Sequence, residues 1–365
     1  MTIFEKLLDL AVAIQQVPAP TFDEAQRAEL VRGLFEAEHL QDVAVDAAGN
    51  VRARLPGADS RHMLVVSAHL DTVFPPETNL SVTRTPGRIA GPGIGDNSTG
   101  VAALFGLVWL LRERGITLPG DLWLVANTGE EGLGDLRGMK AVCDHFRDLP
   151  RCYLVLEGMA LGHVYNQSIG VRRYRVTLSV GGGHSWSDYG QPSAIHELAD
   201  LIKRITDLRL PASPRTTLNV GRIGGGTSIN TLAPEAWMEL DMRSESPEAL
   251  TRLVERVDGL IAAANRPSVH VTVETIGQRP AGHLPADHPL IRLGQDCLTM
   301  HGLGAALTSG STDANIPLSR GYPAVVMGVT TGNGAHTTGE FIDTEPVERG
   351  MESLLSFIQR VWGVT

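Results

Sequence analysis

The sequence is poor in cysteine and in runs of positive charge. Its 365 residues include three cysteines, Cys143, Cys152 and Cys297, and no Cys-x-x-Cys pair. This sparse, odd number argues against a disulfide scaffold and against a thiolate zinc site. The net charge is −10, and there is no basic run of the kind that binds phosphate backbones. We therefore expect no nucleic acid partner.

Long apolar runs and a basic N-terminal segment are also missing. The longest apolar run, residues 101–111, is too short to span a bilayer. The N-terminal segment carries Glu5 and Asp9 and has no basic start, so we expect no signal peptide, no membrane partner and a cytoplasmic location. Glycine, in contrast, is abundant at 40 residues, and many glycines stand beside acids and histidines. This clustering favours tight sites built from loops.

Strands and helices alternate in the first and last parts of the chain. Predicted strands cover residues 63–67, 122–128, 152–158 and 323–329, with predicted helices at 99–113, 135–146 and 348–362. This alternation indicates an α/β fold with a mostly parallel sheet. The middle of the chain has the order β-α-β-β-α-β of a small ferredoxin-like α+β sandwich. We place this sandwich at residues 172–283, inserted into a domain made of residues 1–171 and 284–365.

Candidate metal ligands recur directly after predicted strands. They are His69 with Asp71, Asp96, the Glu130-Glu131 pair, Glu157 and His336. Ligands bind beyond the carboxyl ends of strands in such sheets, so we expect these side chains to converge. Converging carboxylates repel one another, and a pair of divalent cations would relieve this. Such donors suit Zn²⁺, with Co²⁺ or Mn²⁺ as alternatives.

Local backbone geometry indicates how Asp71 and Asp96 could each take part in a metal site. Residues two apart in extended chain point to the same side, so the Asp71 carboxylate can accept the far ring N–H of His69 and orient a metal-binding imidazole. The alternative is a strand-end histidine beside a solvated acid. Asp96 stands before a predicted helix in GPGIGDNSTG, where its two oxygens could bridge two cations. Its alternatives are a helix N-cap or a phosphate loop, although the lysine of such a loop is missing.

The Glu130-Glu131 pair is more specific. Adjacent side chains point in different directions, so one glutamate can bind metal while the other faces a water molecule as a general base. The alternative is a pair of solvated acids in a turn. Glu157 and His336, each taken alone, are also compatible with ordinary loop residues. The metal hypothesis depends on the whole set.

The segments SAHLDTVF, GDNSTG, GEEG, LEG and GAHTTGE occur in this order. Together they resemble the dinuclear zinc exopeptidase family of acetylornithine deacetylase, succinyl-diaminopimelate desuccinylase, carboxypeptidase G, aminoacylase and peptidase T. The resemblance covers nearly the whole chain. It implies that residues 1–171 and 284–365 form a catalytic zinc-binding domain. Residues 172–283 would be a lid and dimerisation domain, so a homodimer is expected.

The resemblance also implies a role for each residue of the set. His69 and Glu157 would bind one zinc ion, Glu131 and His336 the other, and Asp96 both. Glu130 would be the general base and Asp71 the residue that orients His69. A cis peptide bond is implied between Asp96 and Asn97.

Further implied contacts come from the inserted domain. The GGGHSW segment offers His184 to the substrate's carbonyl oxygen, often from the partner subunit, and GGGTSIN places Asn230 near the substrate. Arg243 in LDMR could bind a substrate carboxylate with its planar fork, or it could form a surface ion pair. Outside the inserted domain, Asp313 in STDANIP could line the site or cap a helix.

The stretch GGGHSWSDYGQPSAIHELA is most similar to peptidase T-like members. The resemblance therefore implies hydrolysis of short peptides by a di- or tripeptide exopeptidase, with water activated by two metal ions and Glu130 as the base. An N-acyl-amino-acid deacylase or a carboxypeptidase is the alternative, and it would use Arg243. A third hypothesis is a metal-binding interaction protein without catalysis. The presence of both Glu130 and Glu131 argues against it, since a purely structural site would not need the second glutamate.

Overall fold

The chain forms two compact units. A computed structural model describes residues 1–364, in which unit 1 consists of Met1–Ser168 and the segment that begins at His283. Unit 2 consists of Ile169–Gly282. The sequence predicted these boundaries at 171/172 and 283/284. Each unit has a hydrophobic core built from its own helices and strands.

The elements of unit 1 before Ser168 include the strands and helices that the sequence predicted between residues 63 and 158, together with further strands and two N-terminal helices. Its helices are α1 (Ile3–Gln15), α2 (Ala25–Ala37), α3 (Gly100–Glu113) and α4 (Arg137–Phe146). Its strands are β1 (Gln41–Val45), β2 (Val51–Leu55), β3 (Asp59–His69), β4 (Thr83–Thr85), β5 (Arg88–Ala90), β6 (Gly120–Asn127), β7 (Tyr153–Glu157) and β8 (His163–Ser168). An irregular helical segment, Ile94–Thr99, precedes α3.

Unit 2 has the order β-α-β-β-α-β, apart from two very short strands. Its elements are β9 (Gly170–Ser179), β10 (Gly183–His184), α5 (Ala194–Thr206), β11 (Thr216–Gly225), β12 (Thr231–Leu232), β13 (Glu235–Ser244), α6 (Pro247–Ala264) and β14 (His270–Arg279). The remaining elements are β15 (Gly282–His283), α7 (Pro289–Met300), β16 (Ala306–Gly310), α8 (Asn315–Ser319), β17 (Ala324–Gly328), β18 (Gly332–Asn333), β19 (Phe341–Asp343) and α9 (Val347–Arg360).

A large mixed sheet organises unit 1. Its strand order is β1-β2-β6-β3-β7-β17-β8-β15, with β16 beside β8. The four central neighbours β6, β3, β7 and β17 are parallel, whereas the pairs β1–β2, β2–β6 and β17–β8 are antiparallel. The α/β fold with a mostly parallel core is therefore confirmed, with antiparallel strands added towards the edges.

The central strands are apolar because helices cover both of their faces. Along β3, Leu64 and Val66 belong to the core formed with α1, α2, α3, α7 and α9. Val65 between them belongs to the opposite core, which includes residues of α4 and α8. The stretch Ile94–Glu113 is long and apolar enough to cross a membrane, and 94% of its most apolar window is buried inside the protein. Burial thus accounts for its apolar composition.

Unit 2 is a four-stranded antiparallel sheet in the order β11-β13-β9-β14. Along β13 the buried and partly exposed residues alternate, as expected when one face of a sheet is covered. Helices α5 and α6 pack on the covered face through residues such as Leu201 and Val257. This is the strand order and the layering of the predicted α+β sandwich.

A second small sheet in unit 1 connects two of the candidate ligand segments. Its strand order is β18-β19-β5-β4, and β19 pairs antiparallel with β5. Strand β5 ends six residues before Asp96, and β19 begins five residues after His336. The pairing brings together two parts of the chain that are about 250 residues apart in sequence.

Candidate metal centre

Four adjacent parallel strands carry most of the candidate ligands. His69 is the last residue of β3 and Glu157 is the last residue of β7. The Glu130-Glu131 pair follows β6, and His336 follows β17. Because β6, β3, β7 and β17 are neighbours and end at the same edge, residues distant in sequence converge there.

Asp96 lies between two histidines. Its Oδ1 is 3.0 Å from His69 Nε2, and its Oδ2 is 3.1 Å from His336 Nε2. Glu131 Oε1 lies 3.0 Å from His336 Nε2, and Glu157 Oε2 lies 3.8 Å from His69 Nε2. The five residues thus form two groups, His69 with Glu157 and His336 with Glu131, which share the carboxylate of Asp96.

The donor set fits divalent cations. One ligand atom from each of His69, Asp96 and Glu131 lies within 4.8 Å of the others. Imidazole nitrogen and carboxylate oxygen are donors that Zn²⁺, Co²⁺ and Mn²⁺ accept.

His336 also adopts a φ of 64°, in the left-handed region that residues other than glycine rarely occupy. Such a conformation at a candidate ligand agrees with a functional constraint on this residue.

The raised pKa values of the clustered acids and histidines also indicate a site that favours bound positive charge. Burial raises the pKa of Glu157, and the nearby carboxylates of Asp96 and Glu130 raise it further. Burial acts to lower the pKa of His69, but the nearby carboxylates of Asp71, Asp96 and Glu157 outweigh it and hold that pKa well above its usual value. Contacts with Asp96 and Glu131 raise the pKa of His336 to about 10. Cations would replace the imidazolium protons, so metal affinity should fall at low pH.

Asp71 contacts more than His69. The His69 Nδ1 atom lies 3.0 Å from the backbone carbonyl oxygen of Asp71 and 3.6 Å from its carboxylate Oδ1. The shorter contact is therefore with the main chain, whereas the sequence predicted the carboxylate. That carboxylate accepts hydrogen bonds from the backbone N–H groups of Glu130 and Glu131, both at 2.9 Å, and from the Thr21 hydroxyl at 2.9 Å. Asp71 thus fixes the turn that presents both glutamates.

A second buried carboxylate fixes the start of the same turn. Glu24 Oε1 accepts the N–H of Gly129 at 3.1 Å, and its Oε2 pairs with Arg137 at 2.6 Å. Gly129 has a φ of 64°, and a Cβ atom there would lie 2.6 Å from the Arg137 side chain, so glycine is required. Sequence analysis missed Glu24 and Thr21, because nothing near them in the sequence points to residues 129–131.

The Asp96 segment is held from two sides. The peptide bond between Asp96 and Asn97 is cis, as the resemblance implied. The Asn97 amide donates to Leu156 O at 2.7 Å and accepts from Gly158 N at 2.9 Å, which joins the segment to the end of β7. A Cβ atom on Gly158 would lie 2.1 Å from the carbonyl oxygen of Gly95, so the close approach needs glycine. From the other side, the carboxylate of Glu340 accepts backbone N–H groups of this segment.

The predicted site residues of unit 2 are exposed or partly exposed. His184 and Asn230 lie on adjacent loops joined by the β10–β12 pair and by a 2.9 Å bond from Ser185 N to Asn230 O. The Nδ1 atom of His184 accepts the Trp186 N–H at 3.2 Å, so in a neutral ring the proton is on Nε2. Arg243 donates from Nε to Asp241 at 2.6 Å, which is the ion pair that the sequence offered as the alternative.

Asp313 lies in unit 1, in the segment before α8. It is fully buried, and its Oδ2 accepts a hydrogen bond from the Asn127 side chain at 2.7 Å. Asn127 is the last residue of β6, so Asp313 contacts the edge of the sheet where the ligands converge. Its charge also contributes to the raised pKa of Glu157. Asp313 therefore belongs to the surroundings of the cluster.

Residues 65–360 match the model of peptidase family M20/M25/M40. The chain belongs to this family. It is accordingly a peptidase-family hydrolase, and the resemblance drawn from the five sequence segments is confirmed. The match includes all five candidate ligands and Glu130.

Two solved structures have a similar fold. A tripeptidase from Staphylococcus aureus superposes with a TM-score of 0.84 at 23% identity, covering 98% of each chain. The aminopeptidase PepT from Bacillus cereus superposes with a TM-score of 0.81 at 22% identity, covering 98% of this chain and 99% of its own. A curated relative, succinyl-diaminopimelate desuccinylase of Corynebacterium glutamicum, is 26% identical over 314 residues, covering 84% of this chain and 79% of its own.

Proposed function

We propose that this M20 hydrolase is a peptidase T-like exopeptidase that cleaves short peptides with a free amino end. The observation that carries the proposal is the position of Asp96, whose two oxygens each face the imidazole of a different histidine at 3.0 and 3.1 Å. A carboxylate in this position can serve two cations at once. The similarity in fold to a tripeptidase and to an aminopeptidase supports the choice of substrate class.

The proposed ligand sets follow the two groups of the cluster. His69 and Glu157 would hold one cation, His336 and Glu131 the other, and Asp96 both. We propose zinc, with cobalt or manganese as alternatives. When bound, the cations supply Lewis acidity that lowers the pKa of the attacking water and polarises the amide carbonyl.

Glu130 is the proposed general base. The residue is 6% exposed and its N–H group donates to Asp71, and its charge contributes to the raised pKa of Glu157, so the carboxylate lies close to the candidate ligands. A carboxylate so held can take a proton from the attacking water and pass it to the leaving amine. Asp71 supports this step by fixing the turn rather than by touching the reacting atoms.

His184 is the proposed donor to the carbonyl oxygen as negative charge develops on it. The bond from Trp186 N–H to Nδ1 leaves Nε2–H as the donor of the neutral ring. Asn230 lies on the neighbouring loop and is proposed to contact the substrate. We further propose that unit 2 is a lid and that it mediates a homodimer, as the resemblance to the family implies.

A second candidate function is an N-acyl-amino-acid deacylase or a carboxypeptidase. One observation favours it, because Arg173 and Arg243 both donate to Asp241, at 2.9 and 2.6 Å. These three side chains carry two positive charges and one negative charge, and the surplus positive charge could attract a substrate carboxylate. The relative named as a desuccinylase is in keeping with this alternative.

Three substrate sets separate the candidates. The protein loaded with zinc, cobalt or manganese is incubated with free tripeptides, with N-acetylated amino acids and with tripeptides whose carboxyl end is amidated. We expect cleavage of the free and amidated tripeptides, with release of the first residue. Preferential cleavage of the N-acetylated amino acids would favour the deacylase. No cleavage of any amide with any of the metals would overturn the proposed catalysis.

A further inference from the structure

Glu340 is a buried acid outside the proposed ligand set. It lies four residues after His336 and its side chain is fully buried. Its carboxylate accepts three backbone hydrogen bonds, from Gly93 N at 3.0 Å on Oε2 and from Gly95 N at 2.7 Å and Asp96 N at 2.8 Å on Oε1. Asp96, the proposed bridge between two cations, thus donates its own backbone N–H group to Glu340.

The main chain of Glu340 contacts the same segment. Its carbonyl oxygen accepts the Gly91 N–H at 2.8 Å, and the next residue, Phe341, begins the strand that pairs with β5. Side chain and backbone therefore hold residues 91–96 together against the segment that carries His336. A carboxylate buried without partners would be costly, and three N–H donors offset part of that cost, although burial still raises the pKa of Glu340 to about 7.

The contact matters because Asp96 and His336 belong to these two segments. Their side chains face each other at 3.1 Å, between Oδ2 and Nε2. A shared carboxylate can serve two cations only if each oxygen is directed to its own side, and the residues that orient metal ligands tune metal affinity. Rotation of the Asp96 backbone would move both oxygens at once.

We propose that Glu340 is a positioning residue that sets the affinity for divalent cations by fixing the orientation of Asp96 relative to His336. The proposal rests on the proposed function, because it takes Asp96 as the shared ligand. Glu340 itself is not a proposed ligand of cation or substrate. Its effect passes through the backbone N–H groups of Gly93, Gly95 and Asp96.

The test compares Glu340→Gln with Glu345→Gln. The amide that Glu340→Gln introduces has only one oxygen as an acceptor, so if it keeps the bonds from Gly95 and Asp96, its NH₂ group faces the N–H of Gly93. Glu345 is exposed and lies in the same segment, so its substitution makes the same change of charge without these contacts. Each protein is titrated with Co²⁺ against a chromophoric chelator, its Co²⁺ absorption spectrum is recorded, and its urea unfolding is measured with excess chelator.

We expect Glu340→Gln to weaken Co²⁺ affinity about 10- to 100-fold and to change the Co²⁺ spectrum. Glu345→Gln should match the wild type in both. Wild-type affinity and spectrum in Glu340→Gln would overturn the proposal, and so would a lower unfolding midpoint with unchanged Co²⁺ binding, since that result marks a purely structural role.

Two further arms keep the result decisive. If Glu340→Gln does not fold, Glu340→Asp keeps the charge but is shorter by one methylene group, so its carboxylate should not satisfy all three N–H groups and affinity should fall. Unchanged affinity in a folded Glu340→Asp would then overturn the proposal. A wild-type protein that binds no Co²⁺ refutes the ligand assignment itself and the positioning role with it. Normal wild-type binding with an unaffected Glu340→Gln refutes the positioning role alone.

Discussion

Most residues predicted for function in unit 1, the exposed His336 apart, differ from those predicted in unit 2 in how firmly the fold holds them. In unit 1, Asp71 and Glu130 are buried, and the backbone of the Glu130 turn is tied by side chains from distant segments. In unit 2, His184 and Asn230 lie on exposed loops, and Arg243 is partly exposed in an ion pair. The difference indicates that the candidate cation site is organised by folding of unit 1, whereas the proposed substrate contacts of unit 2 depend on side chains that remain accessible.

The largest expected effect separates the two adjacent glutamates of unit 1. Glu130→Gln should lower kcat about 10²- to 10⁴-fold, because it removes the proton acceptor, and it should leave metal content unchanged. Glu131→Gln is the matched control and should lower metal affinity instead. Metal analysis of the purified proteins together with tripeptide kinetics checks both. An active Glu130→Gln variant would refute the assigned base.

The next largest effect concerns His184 in unit 2 and tests whether an exposed residue of that unit contributes to catalysis. His184→Ala should lower kcat about 10²- to 10³-fold, the cost of losing one donor to an oxyanion, with Co²⁺ affinity unchanged. His196 is an exposed histidine on α5, and His196→Ala serves as the control. Equal kinetics in the two variants would show that His184 has no catalytic role and that catalysis depends on unit 1.

The Asp71→Asn variant tests whether the candidate cation site depends on the buried carboxylate of Asp71. In Asp71→Asn one acceptor becomes an NH₂ group facing a backbone N–H, so metal affinity or activity should fall about 10- to 100-fold. The unpaired buried N–H should also lower the free energy of unfolding by about 1–3 kcal/mol. Metal titration and urea unfolding measure the two effects. Wild-type metal affinity together with wild-type activity would show that the site does not need this support.

The smallest expected effect concerns Arg243. Arg243→Gln should raise KM for peptides with a free carboxyl end by about tenfold, or about 1.4 kcal/mol, and leave amidated peptides unaffected. Arg222→Gln removes another exposed guanidinium of unit 2, which pairs with Glu239, and is the control. An equal rise in KM for both peptide types would contradict carboxylate recognition by Arg243.

Much of the candidate centre could be predicted because local sequence carries the signal. Short apolar strands, each followed by an acid or a histidine, indicated which side chains would reach the same edge of a sheet. The residues that support them gave no such signal. Glu24, Thr21 and Glu340 act on groups 50 to about 250 residues away, and only the folded chain shows these pairs.

The sequence by itself determined the α/β class, the inserted sandwich and the membership of the candidate ligand set, since these follow from periodicity and from ordered segments read locally. Only the tertiary structure decided how the set is oriented. It showed that Asp96 faces a histidine with each oxygen, and that the main chain of Asp71 makes the shorter contact with His69. Orientation depends on contacts between distant segments, and these form only when the sheet assembles.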